Sequence, residues 1–214
     1  MDLLVITISI FGALMGTAMF FWSRRMILKR TGKPAEGLFM NRRLSWLAWS
    51  LFGALGCGLI ALLTRDLAKC IEFTSIYLLL LGLSAVDYKI RKIPNDLLVA
   101  LLFIKIISVV YTGDYYSLVL SAIGMAAGFV LFQLPAKLCI SIGWGDVKLA
   151  SVAGFCLGIT GLFQSVLIMA AVLGIYSIYL FAAKRGNMFT KVAMGPPLSM
   201  GIMISILFPI ILSF

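Results

Sequence analysis

Histidine is absent from this 214-residue chain. That excludes Ser–His and Cys–His catalytic pairs and zinc sites built on imidazole. The four cysteines, Cys57, Cys70, Cys139 and Cys156, are scattered and include no C-x-x-C pair. No thiolate metal site or redox motif is spelled out, and no spacing supports a disulfide. Charge is scarce too: 12% of residues are charged, against about 25% in soluble proteins. With 62% hydrophobic residues and a mean hydropathy of +1.10, the chain has more apolar surface than a soluble fold can hide. It reads as an all-α, polytopic integral membrane protein in contact with lipid. What charge remains is basic, 18 Lys and Arg against 8 Asp and Glu. The cations fall in short patches between apolar runs, with no soluble aromatic-interleaved domain, so they are topology signals and not a nucleic-acid surface.

Eight apolar runs are legible: Leu3–Trp22, Leu44–Leu63, Phe73–Val86, Leu97–Tyr111, Ser117–Ile140, Leu149–Thr160, Leu162–Ala183 and Pro197–Phe214. The first has Asp2 before it and Arg24-Arg25 after it, the reverse of a secretory signal. It is therefore expected to be an uncleaved anchor with its N-terminus outside. Residues 23–43 carry Arg24, Arg25, Lys29, Arg30, Lys33, Arg42 and Arg43 against Glu36, which assigns them to the cytoplasm. They are expected to be too short and too charged to order themselves, and to lie against anionic headgroups. Alternation from there puts every Lys and Arg except Arg65, Lys69 and Lys105 inside, and both termini outside. Glu72 falls in an outer loop, and Lys105 snorkels about 9 Å to the outer end of its run. Residues 1–66 form a two-helix segment and 67–214 the core. Gly12/Gly16, Gly124/Gly128 and Gly154/Gly158 place small residues four apart, the spacing of close helix contacts. Gln133 and Gln164 are expected to hydrogen-bond between helices.

Two carboxylates stand out. Asp146 lies within Gly143-Trp144-Gly145-Asp146-Val147-Lys148, between two apolar runs. Asp87 directly follows Phe73–Val86 and precedes Ile93-Pro94-Asn95. An ionisable group at such depth is a functional-site hypothesis by default. A lone carboxylate at a helix end is more often a cap or anchor, the reading given to Asp66 and Asp96. Asp87 and Asp146 both reach the inside surface, where two carboxylates sharing one proton hydrolyse a peptide without metal or nucleophilic side chain. Gly143 and Gly145 are expected to permit positive φ or a close approach of substrate. Pro94 is expected to precede a helix capped by Asn95 or Asp96. Lys148 either faces the anion or anchors the helix, and Gly195 and Pro196 shape the loop before the last span.

Three motifs together carry a resemblance: Gly143-x-Gly145-Asp146, Asp87 with Ile93-Pro94-Asn95, and Met194-Gly195-Pro196-Pro197-Leu198-Ser199-Met200-Gly201. The chain resembles the prepilin peptidase (type IV leader peptidase) family of GxGD membrane aspartyl proteases. The presenilin-like branch fits less well, since its Y-D and P-A-L motifs are missing. The resemblance implies an inner-membrane aspartic endopeptidase with Asp87 and Asp146 as the catalytic pair and no cofactor. It also implies a prepilin or pseudopilin partner, cut after a short basic leader at the cytoplasmic face. Many relatives also N-methylate the new terminus and carry paired C-x-x-C motifs between their first two helices. Residues 23–43 hold no cysteine, so peptidase activity alone is expected. A proton- or ion-coupled transporter using the intramembrane aspartates is the alternative, and a non-catalytic assembly factor a third reading.

Overall fold

The computed structural model describes residues 2–32, 45–64, 66–137, 143–183 and 194–208. They form seven helices, with no strand among the described residues: α1 Asp2–Thr31, α2 Ser45–Leu63, α3 Leu67–Ile90, α4 Asn95–Thr112, α5 Tyr115–Lys137, α6 Trp144–Ala182 and α7 Gly195–Leu207. In lipid every backbone polar group needs an internal partner, which a helix supplies within one segment. Six of the seven, α1 to α6, are long and apolar enough to cross a membrane. The chain is thus an all-helical, multi-pass membrane protein. Chain contacts divide it into two compact units, residues 1–119 and 120–214.

In the first unit α1 packs on α2 through glycines, as the four-residue spacing predicts. A methyl group on Gly12 would lie 2.5 Å from the Gly53 carbonyl oxygen, and one on Gly16 2.5 Å from that of Trp49. Without side chains there, the two backbones approach closely enough to gain the dispersion contacts that hold helices together in lipid. Phe20, Ile27, Trp49 and Val86 form a buried cluster joining α1, α2 and α3. Gly56 makes room for the Tyr77 ring, whose hydroxyl donates to the Phe52 carbonyl at 3.1 Å.

Three expectations are corrected here. The helix of the first span runs on through Arg24, Arg25, Lys29 and Arg30 to Thr31, so residues 23–31 are not loop. Cations are favourable in a helix's last turn, where they face unpaired carbonyls. The remainder, 33–43, lies outside the described residues. The third span begins at Leu67, capped by the Asp66 carboxylate, which accepts from the Ala68 N–H at 3.0 Å. Glu72 is therefore inside a spanning helix and buried, not in a loop. Lys105 does not snorkel: its Nζ pairs with Glu72 Oε1 at 3.0 Å, and the Ser108 hydroxyl donates to Glu72 Oε2 at 2.6 Å. The ammonium is paired with the carboxylate on the neighbouring helix without stretching the lysine to the surface.

In the second unit Gly124 and Gly128 of α5 meet Gly154, Ala150 and Ser151 of α6, again the expected small-residue contact. The two runs expected at Leu149–Thr160 and Leu162–Ala183 appear within α6, which is non-helical only at Gly158 (φ 72°, ψ −176°). A continuous helix of that length would reach about 58 Å, nearly twice the roughly 30 Å hydrocarbon core. A left-handed φ is cheap only for glycine, so Gly158 is where the direction changes. The α7 helix packs on α6 where Gly201 touches the Ser165 backbone. Gln164 Nε2 donates to the Phe208 carbonyl at 2.6 Å, the interhelical bond expected of it.

Candidate active site

Asp87 is in the last turn of α3, not beyond it, and is only 4% exposed. Its main-chain carbonyl accepts from the Arg91 N–H at 2.7 Å. Arg91 closes the helix in a left-handed conformation (φ 53°), which costs a residue with a Cβ about 1–2 kcal/mol. This cap turns the chain sharply, and Pro94 (φ −71°, buried) leads into α4. Proline holds that φ intrinsically, so the turn is preset. The N-cap of α4 is Pro94, and the helix starts at Asn95, which corrects the expected cap at Asn95 or Asp96. The pyrrolidine's fixed φ enters the helix without a capping side chain. Asp96 is an exposed first-turn acid, as the bland reading had it.

Asp146 occupies the third helical position of α6 and is partly exposed. The Gly143 carbonyl accepts from the N–H groups of Asp146 (2.9 Å) and Val147 (3.3 Å). A carboxylate at this position reaches back toward the residue before the helix, where free N–H groups accommodate an anion. A methyl on Gly143 would stand 3.1 Å from Asp146 Oδ2. The room left by Gly143 is therefore taken up by the Asp146 carboxylate itself. Gly145 lies within the first helical turn and does not adopt positive φ, one of the two expectations for it: α6 begins at Trp144, five residues before the apolar run that starts at Leu149. Lys148 is exposed and two positions on from Asp146. Residues at that spacing do not share a helix face.

Gly195 and Pro196 are the first two residues of α7 rather than loop. A proline in the first turn forfeits only an N–H that has no intrahelical partner. The segment Leu198-Ser199 is fully buried and, with Gly201, forms the seat of α7 on α6. Among the described residues no group of His, Cys, Asp and Glu could hold a metal ion.

The structure thus puts Asp87 one turn before the Arg91 cap that leads to the Pro94–Asn95 start of α4 in the first unit, and Gly143 beside the Asp146 carboxylate in the second. The Glu72–Lys105–Ser108 cluster was missed by sequence reasoning; the signal was Lys105, a mid-span cation that needs an anionic partner on a neighbouring helix. Residues 74–178 match the type IV leader peptidase family. The matched stretch holds both aspartates, Pro94, Asn95, Gly143, Gly145 and Lys148, and ends before Gly195. No curated protein and no solved structure matches the chain.

Proposed function

We propose, from the membership of residues 74–178 in the type IV leader peptidase family, that this multi-pass membrane peptidase works through an aspartate pair, Asp87 and Asp146. The observation that carries the reading is the family match across both aspartates, each placed at the end of a membrane helix. With one proton between two carboxylates, the ionised one takes a proton from water as the oxygen attacks the scissile carbonyl carbon. The neutral one donates its proton to the carbonyl oxygen, giving a tetrahedral diol. Collapse of the diol returns a proton to the departing amine and leaves the pair sharing one proton again. Such a pair titrates as a unit.

The substrate is a prepilin or pseudopilin, whose basic leader is cut ahead of its apolar helix. The chemistry is at the cytoplasmic face of the inner membrane, a reading supported by the cations flanking both aspartates, Lys89, Arg91 and Lys92 beside one and Lys148 beside the other. No cofactor takes part. The test is cleavage of a fluorescent leader-peptide substrate by the purified protein in detergent. Wild type should cleave, and Asp87→Asn and Asp146→Asn should each lose all turnover while inserting normally, because the amide is isosteric but exchanges no proton. Turnover by either variant removes the pair mechanism, and an inactive wild type returns the transporter reading.

A further inference from the structure

We infer that the groove between the start of α3 and the end of α4 is a site for one phosphatidylethanolamine molecule, with an acyl chain along the groove and the ammonium on Asp66. The site stands whether or not Asp87 and Asp146 form a catalytic pair.

The groove encloses about 560 Å³, within the range of about 300–1,000 Å³ typical of ligand sites. Its walls include Ala68, Ile71 and Ser75 of α3 and Ile104, Ile107 and Tyr111 of α4. Steps of three and four residues put each set on one face of its helix. From Leu67 to Ser75, and from Tyr111 to Ile104, the walls run about 10–12 Å along the helix axes. One leaflet holds roughly 15 Å of hydrocarbon, so the groove follows most of the path of one acyl chain from headgroup level towards the midplane.

The polar groups along that path are already engaged. Glu72 lines the groove and is buried, with its oxygens taken by Lys105 and Ser108. The Ser75 hydroxyl donates to the Ile71 carbonyl at 2.8 Å. A chain laid over them meets an ion pair, not a lone charge, and keeps water from reaching that pair through the mouth. In a water-excluded setting the attraction between the two charges is stronger.

The mouth selects the headgroup. Tyr111 is 81% exposed, and Tyr115 and Tyr116 beyond it are exposed as well; tyrosines so placed mark the headgroup level. Asp66 lines the mouth and is exposed. Its Oδ1 accepts from the Ala68 N–H at 3.0 Å, and among the described residues Oδ2 has no donor. No lysine or arginine lines the groove, so a phosphatidylglycerol head would meet the Asp66 carboxylate with nothing to offset it. A primary ammonium instead donates to Oδ2, which the quaternary nitrogen of choline cannot do. Lys69 is exposed one turn into α3, and helical side chains lean towards the N-terminus, here the mouth, where its ammonium suits the lipid phosphate.

The test is photocross-linking from Ile107→benzoylphenylalanine in the full chain, reconstituted in vesicles of equal parts phosphatidylethanolamine, phosphatidylglycerol and phosphatidylcholine. Mass spectrometry identifies what is captured. Phosphatidylethanolamine should exceed each of the others by about two- to fivefold, the range of one exposed ion pair. Adding Asp66→Asn keeps the helix cap, since asparagine caps as well as aspartate, and should bring the three lipids to parity. Ala68→Phe sets a ring in the groove and should do the same. Native mass spectrometry of the detergent-extracted chain should find phosphatidylethanolamine retained on wild type and lost from Ala68→Phe. Capture of the three lipids at parity by the chain with only the photoreactive residue would mean ordinary contact with the bilayer and overturns the proposal. So does an excess of phosphatidylglycerol, an excess of phosphatidylethanolamine that survives Asp66→Asn, or capture of a protein, which would make the groove a seat for another helix. That first chain alone decides the matter if Ala68→Phe fails to accumulate.

Discussion

Gly143→Ala tests why a glycine precedes the second aspartate. The added methyl would stand 3.1 Å from Asp146 Oδ2, where ordinary contact begins at 3.4 Å. The carboxylate must yield by about 0.3 Å, since the methyl is fixed to the backbone. If about 1 Å of misplacement costs about a hundredfold, a log-linear share for that shift is about fourfold in rate. Stability should change little, because Gly143 is exposed and the carboxylate can swing toward solvent. The signature is therefore a fall in kcat of about fourfold with unchanged KM and unchanged thermal midpoint. Gly143→Val, whose branched side chain forces a shift nearer 1 Å, should lose about a hundredfold. The assay is leader-peptide cleavage under saturating substrate, with unfolding followed in the same micelles. Wild-type kcat in Gly143→Val would refute the argument, because no rotamer of valine avoids the contact at its Cβ.

Gly154→Leu should separate α5 from α6, since even a methyl there overlaps the Gly124 carbonyl, costing about 1–3 kcal/mol or more in micelle unfolding. Gly174→Leu on the same helix is its control: a Cβ at Gly174 meets nothing within 4 Å, so stability should hold or rise by several tenths of a kcal/mol from helix propensity. Cysteine labels near Asp114 should react from outside intact cells, whereas labels between residues 184 and 192 should need permeabilised membranes; the reverse pattern would strand both aspartates on the wrong face. Pilin processed by the purified enzyme with added S-adenosylmethionine should show no methyl gain at its new terminus by mass spectrometry, because residues 23–43 carry no cysteine.

The all-helical, multi-pass character was legible in the sequence because lipid exposure selects long apolar runs directly. Among the described residues, however, six helices and not eight are long and apolar enough to cross a membrane. The helix ends were not legible. Hydropathy marks where apolar side chains stop, whereas a helix stops where its backbone hydrogen bonds stop. Thus α1 continues past Trp22 through four cations to Thr31, and α3 takes in Glu72 at one end and Asp87 at the other. Between the sixth and seventh runs the sequence offers a turn over Gly158-Ile159-Thr160-Gly161, whereas the backbone departs from helix only at Gly158 (φ 72°), and a single such residue leaves no hydropathy gap. Interfaces built on glycine were readable from spacing, since close approach needs small residues at fixed intervals. The partner of Lys105 was not readable, because it lies on another helix and no periodicity connects the two.

That missed pairing separates two kinds of intramembrane carboxylate on one helix. Glu72 and Asp87 both lie in α3 and are both buried, and composition alone treats them alike. Glu72 has each oxygen engaged, one by an ammonium and one by a hydroxyl, both from α4. Asp87 is fixed by its backbone at a helix end, beside a turn preset by Arg91 and Pro94. On the proposed aspartate-pair reading, a carboxylate that exchanges a proton with water needs a rigid main chain, and the last turn of α3 supplies one. Glu72, about 22 Å further along the same helix, is held instead by side chains of the neighbouring helix. One α-helix can hold both only because the neighbouring helix brings Lys105 and Ser108 to the same level, which is a property of the fold and not of either residue.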